Sequence, residues 1–118
     1  MAYLARHILI ELNGCPPHLL NNTARLEHTL RRVVDLLGTE ILKTTSYQFA
    51  PQGISTVMII GASHLAIHSW PEHGYASVDV MVCVDNFKIS DLLHIFASGL
   101  EAASHTFVEV RRGLIEKE

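Results

Sequence analysis

The sequence predicts an α+β two-layer sandwich: an antiparallel sheet with two helices on one face. Three observations carry this expectation. The order strand, helix, several strands, helix, strand does not alternate as a doubly wound parallel sheet requires. Two stretches have the apolar spacing of amphipathic helices. Residues 75–84 alternate so that one face is wholly apolar, as in a strand that packs on helices.

Residues 6–12 are rich in Ile and Leu and end at Asn13-Gly14, turn chemistry that closes a first strand. Pro16-Pro17 opens the next element. Leu19, Leu26, Leu30, Val33 and Leu37 then recur at helical spacing, and Gly38 is placed to end one helix in the left-handed conformation. Residues 41–49 are β-branched and aromatic, Pro51 and Gly53 break them, and 55–60 resume, which predicts an antiparallel pair.

After Gly61, residues 63–69 alternate, with Leu65 and Ile67 on one side and His64, Ala66 and His68 on the other. Trp70-Pro71-Glu72-His73-Gly74 reads as a turn. Residues 75–84 form the longest expected strand. Ala76, Val78, Val80, Val82 and Val84 line its apolar face, and Tyr75, Ser77, Asp79, Met81 and Cys83 its mixed face. Ile89, Leu92, Phe96 and Leu100 mark a second helix, and 106–110 a last strand. The helix-free face would carry polar groups such as Asp79 and Cys83, for chemistry or for dimer contacts.

With 118 residues, 48% hydrophobic and 18% charged, the chain reads as one domain spanning 1–118, without linker or internal repeat. No apolar run approaches the length of a membrane span. Arg6 and His7 interrupt what would be the core of a signal peptide, and two cysteines, Cys15 and Cys83, make no disulfide framework. The expected compartment is therefore cytoplasmic. Nine basic against twelve acidic residues, with Arg31-Arg32 and Arg111-Arg112 as isolated pairs, give no nucleic-acid footprint.

Eight histidines are the compositional oddity. His64, His68 and His73 are permissively spaced for zinc, but i and i+4 on a strand stand about 13 Å apart. The expected metal content is none, with the histidines used in hydrogen bonding or at a subunit interface. A Cys83–His68 nucleophile pair is weak as well. Nothing local activates Cys83, and a thiol in a Val-rich strand is by default buried and inert.

Segment 62–76, reading ASHLAIHSWPEHGYA, closely resembles the signature of the prokaryotic S-adenosylmethionine decarboxylases, pyruvoyl-dependent enzymes of polyamine synthesis. The resemblance continues through Val78-Asp79-Val80 to Cys83. It takes in Arg6-His7, Phe49, Pro51, Gly53 and Ser55 before the signature, and Val108-Glu109 and residues 111–113 after it.

This resemblance implies that Ser63 becomes the cofactor. Its hydroxyl attacks the Ala62 carbonyl, elimination and hydrolysis leave a pyruvoyl group, and the chain divides into fragments of 62 and 56 residues. By the same resemblance Ser55 and His68 assist cleavage, Cys83 gives the proton after decarboxylation, Phe49 stacks on adenine and Glu72 accepts from the ribose hydroxyls. The pyruvoyl carbonyl forms a Schiff base with the substrate amine and takes up electrons as carbon dioxide leaves.

Ser63 and His68, five residues apart, fall on opposite faces of a regular strand. The resemblance answers with a homodimer whose sites draw on both chains. Three departures from the family pattern stand out: Ala62 for the usual glutamate, His73 for tyrosine, and Val84-Asp85 where a glycine often follows the cysteine. Cleavage needs only a backbone carbonyl at position 62, so alanine does not forbid it. The leading expectation is a decarboxylase supplying the aminopropyl donor for spermidine. Two others stay open: a pyruvoyl decarboxylase of arginine or ornithine, and an unprocessed partner subunit.

Overall fold

The computed structural model describes residues 2–116. Its elements in chain order are β1 (Ala5–Asn13), α1 (Pro17–Leu20), α2 (Thr23–Leu37), β2 (Ile41–Gln48), β3 (Ile54–Ile60) and β4 (Ser63–Trp70). A 3-10 turn over Pro71–His73, β5 (Tyr75–Val82), α3 (Ile89–Gly99) and β6 (Ser104–Arg112) complete it. The strands form one sheet in the order β2-β3-β4-β5-β1-β6, and every neighbouring pair is antiparallel. The helices cover one face, so the two-layer α+β sandwich is the observed architecture, with three helices rather than two among the described residues. Among the described residues no helix is long and apolar enough to cross a membrane.

The extra helix comes from a break in the first expected one. Asn22 takes an extended conformation, and its side-chain oxygen accepts a hydrogen bond from the Arg25 N–H at 3.0 Å. An asparagine that caps a new helix also ends the old one. The apolar stripe runs on across the break because Leu20 of α1 and Leu26, Leu30, Val33 and Leu37 of α2 bury into one core, and Leu19 is buried beside them. Gly38 closes α2 at φ +66°, and its N–H bonds the Val34 and Asp35 carbonyls.

Period-two alternation divides the sheet cleanly. Facing the helices are Ile8, Ile10 and Leu12 of β1, Ile54, Met58 and Ile60 of β3, Leu65 and Ile67 of β4, and Ala76, Val78, Val80 and Val82 of β5. All are essentially buried in one cluster with Phe96, Leu92 and Leu100. The opposite face is open, and cross-strand register arranges it in three rows. The middle row reads Thr45, Val57, Ala66, Asp79, Leu9, Val108; on one side lie Tyr47, Ser55, His68, Ser77, Glu11, Thr106, and on the other Lys43, Ile59, His64, Met81, His7, Val110.

The strand expected to be longest is not. β5 stops at Val82, where its pairing with β1 ends at Arg6, and β1 and β6 are each one residue longer. Cys83 therefore stands past the strand end and is exposed, not buried in a valine-rich strand, and Val84 leaves the strand face to pack partly against the core.

Arg6 holds this end of the sheet together. It donates from Nε and one terminal nitrogen to the two Glu109 oxygens at 3.0 and 2.8 Å, tying β1 to β6, and lies 4.6 Å over the Phe87 ring. The Arg6 hydrogen bond lowers the Glu109 pKa and the pairing raises that of Arg6. A depressed carboxylate stabilises the fold above its unfolded pKa and loses that contribution as pH falls through the folded one. Glu109→Gln is thus expected to cost on the order of 1 kcal/mol at neutral pH and almost nothing in acid. Urea melts of both proteins at pH 7 and at a series of lower pH values check the sign; a difference that does not shrink as the pH falls would refute it.

Candidate active site

Two clusters of candidate residues lie at opposite ends of β4. The first gathers Phe49, Gln52, Gly53, Ser55, His68, Ser69, Trp70 and Glu72 around a cavity of about 280 Å³. Ser55 and His68 are direct partners across the β3–β4 ladder, which sets Ser55 Oγ 2.7 Å from His68 Nδ1. That contact holds the imidazole by one nitrogen and leaves Nε2 free to act.

Phe49 reaches this cavity because the loop that carries it is pinned twice. Its own N–H bonds the Gly53 carbonyl at 2.8 Å, and the Gly53 N–H donates to Asn21 Oδ1 at 3.1 Å. The Phe49 ring stands half exposed and edge-on to Tyr47, with centroids 4.9 Å apart. Beneath the loop, Ser69 Oγ accepts from the Ile54 N–H at 3.0 Å and donates to the Leu20 carbonyl at 2.7 Å, so α1 braces the cavity floor.

Glu72 sits on the 3-10 turn, which Gly74 closes at φ +59°. A side chain at Gly74 would stand 3.2 Å from the Cys15 carbonyl, and the Cys15 N–H bonds the Gly74 carbonyl at 2.9 Å. The turn is therefore fixed against the segment after β1. Cys15 is buried, which pushes its thiol pKa up to about 11 and leaves it inert.

The second cluster holds Ala62, Ser63 and Cys83. Ser63 pairs with Ile60 and shares its helix-side face, so its hydroxyl turns away from the open face that carries His68. With Leu37, Thr39, Ile60, Val82 and Val84 these residues line a small cavity of about 50 Å³. Ser63 Oγ is buried there with no hydrogen-bond partner. The five intervening strand steps put it roughly 17 Å from His68 along β4.

Within one chain the structure thus brings together Ser55, His68, Phe49 and Glu72, and separately Ser63, Ala62 and Cys83; it does not bring the two sets together. Cys83 and His68 form no pair. His64 and His68 lie four positions apart on the open face, and no group of three metal-binding side chains converges among the described residues. Gln52, Trp70 and Thr39 were not singled out from the sequence. The first two flank residues that were, and Thr39 had no signal because it meets Ser63 only through the fold.

On the open face Arg112 lies 3.2 Å from His7 Nδ1. A guanidinium only donates, so His7 carries its proton on Nε2. That nitrogen is buried without a hydrogen bond, 3.6 Å from Asp79 Oδ1. Across the sheet the Tyr75 hydroxyl bonds Glu11, and burial together with that carboxylate raises the Tyr75 pKa to about 12.

Comparison with known proteins places this arrangement. The family described as S-adenosylmethionine decarboxylase matches residues 6–113. An S-adenosylmethionine decarboxylase proenzyme of Thermoanaerobacter sp. (strain X514) is 41% identical over 117 residues, covering 99% of this chain and 94% of the relative. The proenzyme of the same name from Carboxydothermus hydrogenoformans is 41% identical over 118 residues, covering 100% and 93%. The crystal structure of the adenosylmethionine decarboxylase from Aquifex aeolicus VF5 superposes with a TM-score of 0.89 at 30% identity, covering 100% of this chain and 98% of that one. A match that spans the sheet, both clusters and all three helices establishes that the chain belongs to the S-adenosylmethionine decarboxylase family.

Proposed function

We propose that this chain is a cytoplasmic, self-processing decarboxylase of S-adenosylmethionine that supplies the aminopropyl donor for spermidine, using a pyruvoyl group made from Ser63. The observation that carries the reading is the unpartnered Ser63 hydroxyl, buried beside the Ala62 carbonyl in a mostly apolar cavity. With no protein group holding it, the hydroxyl is free to turn toward the adjoining carbonyl carbon.

The cleavage balances as follows. Ser63 Oγ bonds to the Ala62 carbonyl carbon, the bond from that carbon to the Ser63 nitrogen breaks, and the Oγ proton ends on the nitrogen. Loss of the Ser63 Cα proton then expels Oγ with the Ala62 carboxylate. One water replaces the nitrogen at Cα and ammonia leaves. The residues present fit the resulting group, because Ser63 Oγ is itself buried and Cys83 lines the same cavity. When formed, that group supplies a carbonyl that takes up the electrons freed as carbon dioxide departs.

Each side chain then has a task suited to its chemistry. Phe49 offers a ring face to adenine, and Glu72 accepts hydrogen bonds from ribose hydroxyls. His68, held by Ser55, moves protons at Nε2. Cys83 keeps a transferable proton at Sγ near position 63.

The two clusters become one site in a homodimer. A cavity of about 280 Å³ lies at the lower end of what encloses a small ligand, and the serine it must serve is at the far end of the strand. A two-fold pairing of open faces sets the His68 cluster of one chain against the Ser63 end of the other. Leu9, Val57, Ile59, Val108 and Val110 stand exposed on that face, an apolar area suited to burial by a second copy.

Carbon dioxide release from S-adenosylmethionine, arginine and ornithine tests the substrate. Turnover of S-adenosylmethionine alone is expected. Release from arginine or ornithine instead would move the chain to another substrate, and release from none would make it the unprocessed partner subunit.

A further inference from the structure

We propose that Thr39 is a positioning residue for self-cleavage: its hydroxyl holds a water molecule in the cavity beside Ser63, and that water carries the Ser63 proton. The inference rests on Ser63 being the cleavage serine and adds a residue that no part of that reading requires.

The cavity of about 50 Å³ exceeds the ~10–15 Å³ that one water needs. Leu37, Ile60, Val82 and Val84 make it apolar, and its polar side chains are Thr39, Ser63 and Cys83. Three such groups match the two to four partners a buried water requires. Ser63 Oγ is buried without a protein partner, a deficit that a bridging water makes good.

Backbone geometry puts Thr39 in place. Gly38 ends α2 in the left-handed conformation, and the Thr39 N–H still reaches the Val34 carbonyl at 3.4 Å, which turns the chain back over the β3–β4 connection. There Thr39 Oγ1 stands 3.0 Å from where a Cβ on Gly61 would lie. The hydroxyl therefore rests against the turn that presents the Ala62 carbonyl. Ala62 itself contributes only a methyl group.

His68 of the same chain is on the other face, roughly 17 Å away along β4, and does not take the Ser63 Oγ proton directly. The water accepts that proton as Oγ attacks the Ala62 carbonyl carbon and returns one to the Ser63 nitrogen as its bond to that carbon breaks. Thr39 accepts a hydrogen bond from the water and fixes its orientation, and no water is consumed.

The test follows cleavage of the full-length chain by intact mass after synthesis. Thr39→Val, nearly isosteric but without the hydroxyl, is expected to cleave about 10- to 100-fold more slowly. Thr39→Ala is expected to be slow as well, and Thr39→Ser to return to within about threefold of the parent. Pyruvoyl content at a fixed time after synthesis, titrated with phenylhydrazine, is expected to follow the same order as the cleavage rates. Parent-like cleavage by both Thr39→Val and Thr39→Ala overturns the proposal. So does Thr39→Ser that is as slow as Thr39→Val with an equally lowered melting temperature, because Thr39 is then only structural. A parent chain that never cleaves overturns the Ser63 reading itself, an outcome distinct from either.

Discussion

Replacing Ser63 by alanine is expected to leave one uncut chain of 13.1 kDa and to lower carbon dioxide release to background, a loss on the order of 10³-fold or more. The same change should not harm the fold. Ser63 Oγ makes no hydrogen bond to another protein group, so its removal leaves no buried protein donor or acceptor unpaired. A melting temperature equal to or above that of the uncut parent, together with abolished cleavage, separates a chemical role from a structural one. Residual cleavage at position 63 would place the nucleophile elsewhere.

The second large effect concerns the divided site. Ser63→Ala and His68→Ala chains are each expected to be inactive alone. Co-expressed, half of the dimers are mixed, and one of the two shared sites in each mixed dimer combines an intact Ser63 with an intact His68. Activity should then return to about a quarter of the parent level, the statistical value for a two-fold dimer with shared sites. If each site lay within one chain, the mixture would stay inactive. The distinction is sharp because one β4 places these residues on opposite faces, roughly 17 Å apart.

Much of this was legible in the sequence for identifiable reasons. The stripe from Leu19 to Leu37 and the stop at Gly38 are local features, and the fold keeps them. The opposition of Ser63 and His68 follows from strand periodicity alone. What escaped depends on partners remote in the chain. The break at Asn22 was hidden because a seven-residue spacing from Leu19 to Leu26 suits one helix or two. The end of β5 depends on where β1 begins, which alternation within 75–84 does not record, so Cys83 was placed inside the strand when it stands exposed beyond it. The Ser55–His68 contact required the register of β3 on β4. Thr39 shares a cavity with Ser63 only because α2 lies on the sheet.

Glu72 and Phe49 illustrate the intermediate case. Their residue types suit ribose and adenine, and the resemblance named them, but only the fold shows that a turn held by Gly74 and a loop held by Asn21 bring both to one cavity.

The central claim is that this chain makes its own cofactor at position 63. Intact mass of the purified protein tests it most directly. The expected result is two fragments, residues 1–62 ending in a free Ala62 carboxylate and a 56-residue partner whose first residue is a pyruvoyl group. A single species at the full-length mass, unchanged on prolonged incubation, would contradict it.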